Sequence, residues 1–262
     1  MEHNTPLRKR WRLRFVGLIV LVVAFLGSLT ANVVLFRRAE RSYAEVSEVR
    51  LDPYGLRHNF YDPEPAAGDW PVVVFFGDSR AEQCPAPRMT GLRFLNRGIG
   101  GQTSEQVRGR FDVHVRPLKP RALVVQAGIN DLKAIALFPE RRDAIVAECK
   151  KNLREIVRRG TDDGEVVIVT TIFPTGPVSA VRRMEWSPEI DKAVGEVNSD
   201  LKSMASERVV VLDAYSVLES GGHVPGDLAV DTLHVNWKAY ERLNRELAKL
   251  LERAAGGYAS RP

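Results

Sequence analysis

Val72-Val73-Val74-Phe75-Phe76-Gly77-Asp78-Ser79-Arg80 decides the fold of this chain. Five apolar residues in succession read as a strand buried on both faces, the mark of a parallel sheet covered by helices. Gly77 ends the run in a turn, and Ser79 stands just beyond it. In open α/β sheets the carboxyl ends of the strands carry the ligand site. Ser79 is therefore expected at the mouth of a sheet, with its backbone N–H turned toward whatever binds there. A Gly-x-Ser turn is common, however, and alone it does not identify a nucleophile.

Working outward, the same alternation recurs. Further strands are predicted at Leu92–Asn96, Ala122–Gln126, Val166–Ile172 and Val209–Leu212. Helices are predicted between them. One starts near Thr103, where Gln106 completes a capping box. A second carries Ile145, Cys149, Leu153, Ile156 and Val157 on one face. A third carries Ile190, Val194, Val197, Leu201 and Met204, and the last carries Tyr240, Leu243, Leu247, Leu250 and Leu251. Such stripes are core faces and need no functional reading. Five buried strands separated by helices imply a three-layer α/β/α domain around a parallel sheet, over residues 70–255, with a short tail at 256–262.

Ahead of that domain, residues 15–36 carry no charge and are mostly Val, Leu, Ile, Phe and Ala. As a helix of about 1.5 Å per residue they match a hydrocarbon core of about 30 Å. A cleavable signal would have a shorter apolar run and a small-x-small site, which Ala31 and Ala39 supply poorly. An uncleaved anchor at 15–36 is expected, with a basic cytoplasmic segment at 1–14 and a polar, Pro-containing stalk at 37–69. Basic residues are more frequent before the apolar run than after it, which places the domain on the extracytoplasmic side. Residues 1–41 hold eight Lys or Arg against Glu2 and Glu40, more than the whole chain's net +5. The remainder is close to neutral, so the folded part gives no reason to expect nucleic-acid binding. The two Cys, Cys84 and Cys149, form neither a disulfide framework nor a metal pair.

Three other stretches carry polar groups to the same sheet edge. Asn96-Arg97-Gly98 follows the second predicted strand, and Gly98 is able to bring a backbone N–H close to a ligand. Gly128-Ile129-Asn130-Asp131 follows the third, and Asn130 offers a side-chain amide. Asp231-Thr232-Leu233-His234 precedes the last helix. There the carboxylate is set to accept from His Nδ1–H, leaving Nε2 to take a proton from a hydroxyl. Read singly, these are a strand-to-helix turn, a turn former, and a capping Asp beside a surface His. Together they supply a hydroxyl, an oriented base and donors for an oxyanion, the parts required for acyl transfer. The His residues show no metal-ligand spacing, and no cofactor is called for.

This set resembles the SGNH hydrolases, also called GDSL-type esterases and lipases. Gly77-Asp78-Ser79, Asn96-Arg97-Gly98, Gly128-Ile129-Asn130-Asp131 and Asp231-Thr232-Leu233-His234 are similar to the family's four blocks, in order. The resemblance implies a flavodoxin-like three-layer fold. It implies Ser79 as nucleophile, His234 as general base and acid, and Asp231 as its orienter. The oxyanion hole would be the N–H groups of Ser79 and Gly98 and the side chain of Asn130. The chain departs from the family name at Arg80, where Leu is usual; this is read either as a charge beside an anionic substrate or as a surface Arg. The function implied is a membrane-anchored serine ester hydrolase acting on O-acyl groups of envelope glycans or on lysolipids. Alternatives are acyl transfer to a sugar hydroxyl, or an idle domain that binds glycan or protein. A nucleotide-binding α/β domain is a more distant alternative.

Overall fold

The computed structural model describes residues 6–58, 70–179 and 182–254. The expected tail at 256–262 lies outside them. The chain divides into two units, residues 1–53 and 54–262.

The first unit is one helix, α1 (Pro6–Leu51). From Trp11 onward it is long and apolar enough to cross a bilayer, and the apolar residues of its central part are exposed along their length. It continues past the uncharged run because residues 37–51 contain neither Gly nor Pro and alternate acids with bases at helical spacing. Pro53 stops it, since the residue before a proline leaves the helical region. The polar stretch expected to be a stalk is thus helical as far as Leu51, its residues 59–69 lie outside the described ones, and the second unit begins at Tyr54. The Tyr54 carbonyl accepts from Gln102 Nε2 at 3.1 Å, and the Tyr54 ring lies against Gly109.

In the second unit, β1 (Val72–Gly77) leads into the single turn α2 (Ser79–Glu82), followed by β2 (Arg93–Gly98). Then come α3 (Ser104–Gly109), α4 (Phe111–His114), β3 (Ala122–Gln126), the short α5 (Ile129–Leu132) and α6 (Arg142–Asp162). The chain closes with β4 (Val166–Thr170), α7 (Pro188–Lys202), β5 (Val209–Leu212), α8 (Ala214–Leu218) and α9 (Trp237–Ala254). The five strands form one parallel sheet in the order β2-β1-β3-β4-β5. The expected three-layer α/β fold is present. The capping box expected at Thr103 and Gln106 starts α3.

Side-chain alternation along the strands feeds two cores. Val74, Phe76, Leu123, Val125, Val167 and Val169 pack with the inner faces of α6 and α7. Val73, Phe75, Val124 and Ile168 pack with Tyr240, Leu243, Leu247 and Leu251 of α9. Each of those α9 side chains is at most 3% exposed. Burying an apolar side chain of that size contributes about 1.5–3 kcal/mol, so α9 is held chiefly by this stripe. Cys84 belongs to the α9 core and Cys149 to the α6 core, so the sheet separates the two free thiols.

Strand β2 runs two residues further than expected. Asn96, Arg97 and Gly98 are therefore its last three residues, and Gly98 pairs with Gly77 across the ladder.

Candidate active site

Every group singled out lies just beyond or at the carboxyl end of a strand, or in the loop before α9. Gly77 ends β1 where no side chain fits: a Cβ there would lie 1.8 Å from the Gln126 carbonyl oxygen of β3. Asp78 is fully buried and caps α2, accepting from Arg80 N–H at 2.9 Å. Its other oxygen, Oδ2, has no hydrogen-bond partner. Burial pushes the Asp78 carboxyl above its ordinary range, against the pull of the Arg80 guanidinium and backbone N–H. Ser79 opens α2, half-exposed, with its N–H at the first helical position, where no intrahelical acceptor exists.

The loop before α9 is a tight turn built by Asp231. Its Oδ1 accepts the backbone N–H groups of Leu233 (2.7 Å) and His234 (2.9 Å), and its Oδ2 faces His234 Nδ1 at 2.9 Å. One carboxylate thus frames the turn and fixes the ring. Partial burial would raise its pKa, but the hydrogen bonds from the His234 ring and the two amides outweigh that and hold it below the ordinary value. With Nδ1–H committed to Asp231, Nε2 is left as an acceptor. His234 Nε2 stands 2.9 Å from Ser79 Oγ. The segment after β4 braces this turn: Gly176 N–H donates to the Thr232 carbonyl at 2.9 Å, and Thr232 Oγ1 to the Pro177 carbonyl at 2.9 Å.

Asn130, 6% exposed on α5, donates through Nδ2 to the Gln102 carbonyl at 3.0 Å, which leaves the second amide proton to offer. Gly98 is different. Its N–H is donated to Asn96 Oδ1 at 2.8 Å, and a Cβ on it would meet Glu82 N at 2.1 Å. It is a buried packing point between the end of β2 and α2, so the expectation that its N–H serves as an oxyanion donor is corrected. The backbone that approaches Ser79 is further along: a Cβ on Gly100 would lie 3.8 Å from Ser79 Cβ, and Gly100 and Gly101 are both exposed.

Arg80 is neither a surface residue nor a charge lining the mouth. It is 3% exposed, its guanidinium lies 4.6 Å over the Phe173 ring, and its Nε and Nη2 donate to the Leu233 carbonyl at 3.2 and 3.1 Å. Both earlier readings of this residue are overturned by that burial. Sequence reasoning also missed Arg110, which is fully buried and donates to the carbonyls of Gly77 and Arg97 (both 2.7 Å) and to Gln102 Oε1 (2.6 Å). It ties the ends of β1 and β2 to the start of the α3 loop. Nothing in the sequence distinguishes it from a solvated helix Arg. Among the described residues no cluster of His, Cys, Asp or Glu is placed to hold a metal ion.

Residues 66–242 match the GDSL-like lipase/acylhydrolase family. Among solved structures, a GDSL-like lipase from Bacteroides thetaiotaomicron superposes with a TM-score of 0.56 at 20% identity, covering 72% of this chain and 94% of that one. An acetyl xylan esterase superposes with a TM-score of 0.53 at 16% identity, over 69% of this chain and 99% of that one. Among curated proteins, an uncharacterized lipoprotein of Bacillus subtilis, YqeF, is 33% identical over 84 residues, which span 32% of this chain and 33% of that relative.

Proposed function

Because this chain belongs to the GDSL-like lipase/acylhydrolase family and is an ester-hydrolysing enzyme, we propose that Ser79 is its nucleophile, His234 its general base and acid, and Asp231 the orienter of the imidazole. The observation that supports this is the unbroken sequence of two 2.9 Å contacts, Ser79 Oγ to His234 Nε2 and His234 Nδ1 to Asp231 Oδ2. Ser79 Oγ attacks the ester carbonyl while Nε2 takes its proton. Asp231 stabilises the imidazolium so formed. The oxyanion is met by Ser79 N–H, the second amide proton of Asn130, and a backbone N–H of the Gly100–Gly101 segment in place of Gly98. The tetrahedral adduct expels the alcohol, which takes the proton from Nε2. Water, deprotonated by the same nitrogen, then releases the acid and returns Ser79 to its hydroxyl form.

The substrate we propose is a short O-acyl group, such as acetyl, on an envelope glycan. The domain is held on the extracytoplasmic side by α1, whose amino terminus is cytoplasmic. Family membership supplies the ester, the acetyl xylan esterase neighbour favours a glycan carrier, and the apolar helix with its basic amino-terminal flank supplies the anchor. Full-length protein in detergent, treated with a fluorophosphonate and mapped by mass spectrometry, should carry the label on Ser79. His234→Ala should abolish labelling in a folded protein, and labelling that persists there, or that lands elsewhere, refutes the assignment. Acetyl release from acetylated oligosaccharides above that from lysolipid tests the substrate. A reporter fused after Pro262 and active only in the cytoplasm would reverse the topology.

A further inference from the structure

Arg80 buries a guanidinium beside the candidate nucleophile, and burial of that kind calls for a reason. Removing a charge from water costs several kcal/mol unless every donor and the charge itself are answered. Leucine at this position would fill apolar space without that cost. The compensation here is specific. Two donors of the guanidinium converge on one acceptor, the Leu233 carbonyl, at 3.2 and 3.1 Å. The face of the ion rests on Phe173 at 4.6 Å, a favourable placement of a cation on an aromatic ring. Asp78 and Asp231 contribute opposing charge.

The backbone of the same residue is held at both ends. Its N–H goes to Asp78 Oδ1 at 2.9 Å, and its carbonyl accepts from the Tyr240 hydroxyl at 3.0 Å. Arg80 is thus fixed to α2 and α9 while its side chain reaches across to the 231–234 turn. Leu233 precedes His234, so the gripped carbonyl is one peptide from the base. The fork is a second link between the Ser79 turn and the His234 turn, independent of the Ser79–His234 bond and present when that bond is broken during turnover.

We propose that Arg80 is a positioning residue of this enzyme, which holds the Leu233 carbonyl so that His234 Nε2 stays within reach of the Ser79 hydroxyl; the assignment rests on the serine reading given above. Displacing a catalytic group by about 1 Å costs on the order of 10²-fold in rate. Because Arg80 does not meet the substrate, the loss should fall on kcat and leave KM within about two-fold.

The test uses full-length protein in detergent, with p-nitrophenyl acetate as ester and a fluorophosphonate as a probe of Ser79. Arg80→Met should lower kcat by about 10²-fold and slow Ser79 labelling in parallel. Arg80→Lys keeps the charge and one donor, and should recover about ten-fold of that loss. If Arg80→Met fails to fold, Arg80→Lys and Phe173→Leu decide: lowered kcat at unchanged KM supports the role, and wild-type kcat in both overturns it. Folded Arg80→Met with wild-type kcat, or with a change confined to KM, also overturns it. Ser79→Ala separates the two levels. If Ser79→Ala is inactive while Arg80→Met is fully active, only the positioning role falls. If Ser79→Ala keeps its activity, the serine reading falls and this assignment with it.

Discussion

Asp131 takes two hydrogen bonds from Ser104, one from its backbone N–H at 2.8 Å and one from its hydroxyl at 2.6 Å. Asn152 Nδ2 donates to the same hydroxyl oxygen at 3.2 Å. Through this junction α5, which carries Asn130, is pinned to the first residue of α3. Burial pushes the Asp131 carboxyl up to about 6, despite the Ser104 bonds that pull it down. A raised carboxyl holds its proton more tightly when folded than when unfolded. Its stabilising effect is therefore complete below the ordinary 3.8 and is lost as pH rises toward 6. Asp131→Asn should remove that part of the slope in chemical denaturation between pH 4 and 6, roughly the window set by the two values. An unchanged slope would refute the account.

The Asp231 carboxylate does two jobs with two oxygens, and Asn can do only one of them. In Asp231→Asn the amide oxygen still serves the Leu233 and His234 N–H groups, so the turn and the melting temperature should survive. The amide nitrogen then faces Nδ1 and forces the proton onto Nε2, the wrong tautomer for a base. A fall in kcat of about 10³–10⁴-fold is expected, read by ester hydrolysis at saturating substrate beside a thermal melt.

Two glycines near the site should behave in opposite ways. Gly77→Ala drives a methyl to 1.8 Å from the Gln126 carbonyl oxygen, against the backbone of the neighbouring strand β3. Neither strand can give way without losing its ladder, and the variant should not accumulate as folded protein. Gly101→Ala meets open space, and its cost is only that of φ +77, on the order of 1–2 kcal/mol for a residue with a Cβ. Expression and thermal melts of the two variants check the contrast.

Glu165, 3% exposed at the turn into β4, has an Oε2 with no hydrogen-bond partner. Burial raises its carboxyl to about 8, with Asp163 adding to the effect. The folded chain keeps this proton, so stability declines as pH rises from the ordinary 4.5 through 8. Glu165→Gln cannot ionise, and should gain on the order of 2 kcal/mol over the parent at pH 8 and little at pH 5, roughly the scale of a buried carboxylate's penalty. A gain that is equal at the two values would contradict this.

Much of the fold was legible because buried strands write themselves as apolar runs. Val72–Phe76 and Ala122–Gln126 could hardly be anything else. The amphipathic stripes of α6, α7 and α9 were equally plain. The ends of β2 were not, because Asn96, Arg97 and Gly98 are polar or small, and a strand that ends in such residues looks like a loop. That shift of two residues is what moved Gly98 from donor to packing point. Ser79, Asn130, Asp231 and His234 are picked out by sequence because each stands beside a recognisable structural boundary, the end of a strand or the start of the last helix. Arg80 and Arg110 were not, since an arginine is ordinarily solvated, and its burial depends on carbonyls and rings contributed by distant parts of the chain.

Cys84 and Cys149 stand on opposite sides of the sheet, 4% and 0% exposed. Burial drives the Cys84 thiol up to about 12 and the Cys149 thiol upward as well. Only the thiolate reacts readily, so both sulfurs are silent while their face of the sheet stays closed. A maleimide present during slow unfolding would therefore report loss of the α9 layer through Cys84 and loss of the α6 layer through Cys149. The chain carries its own pair of chemical gauges, one for each layer.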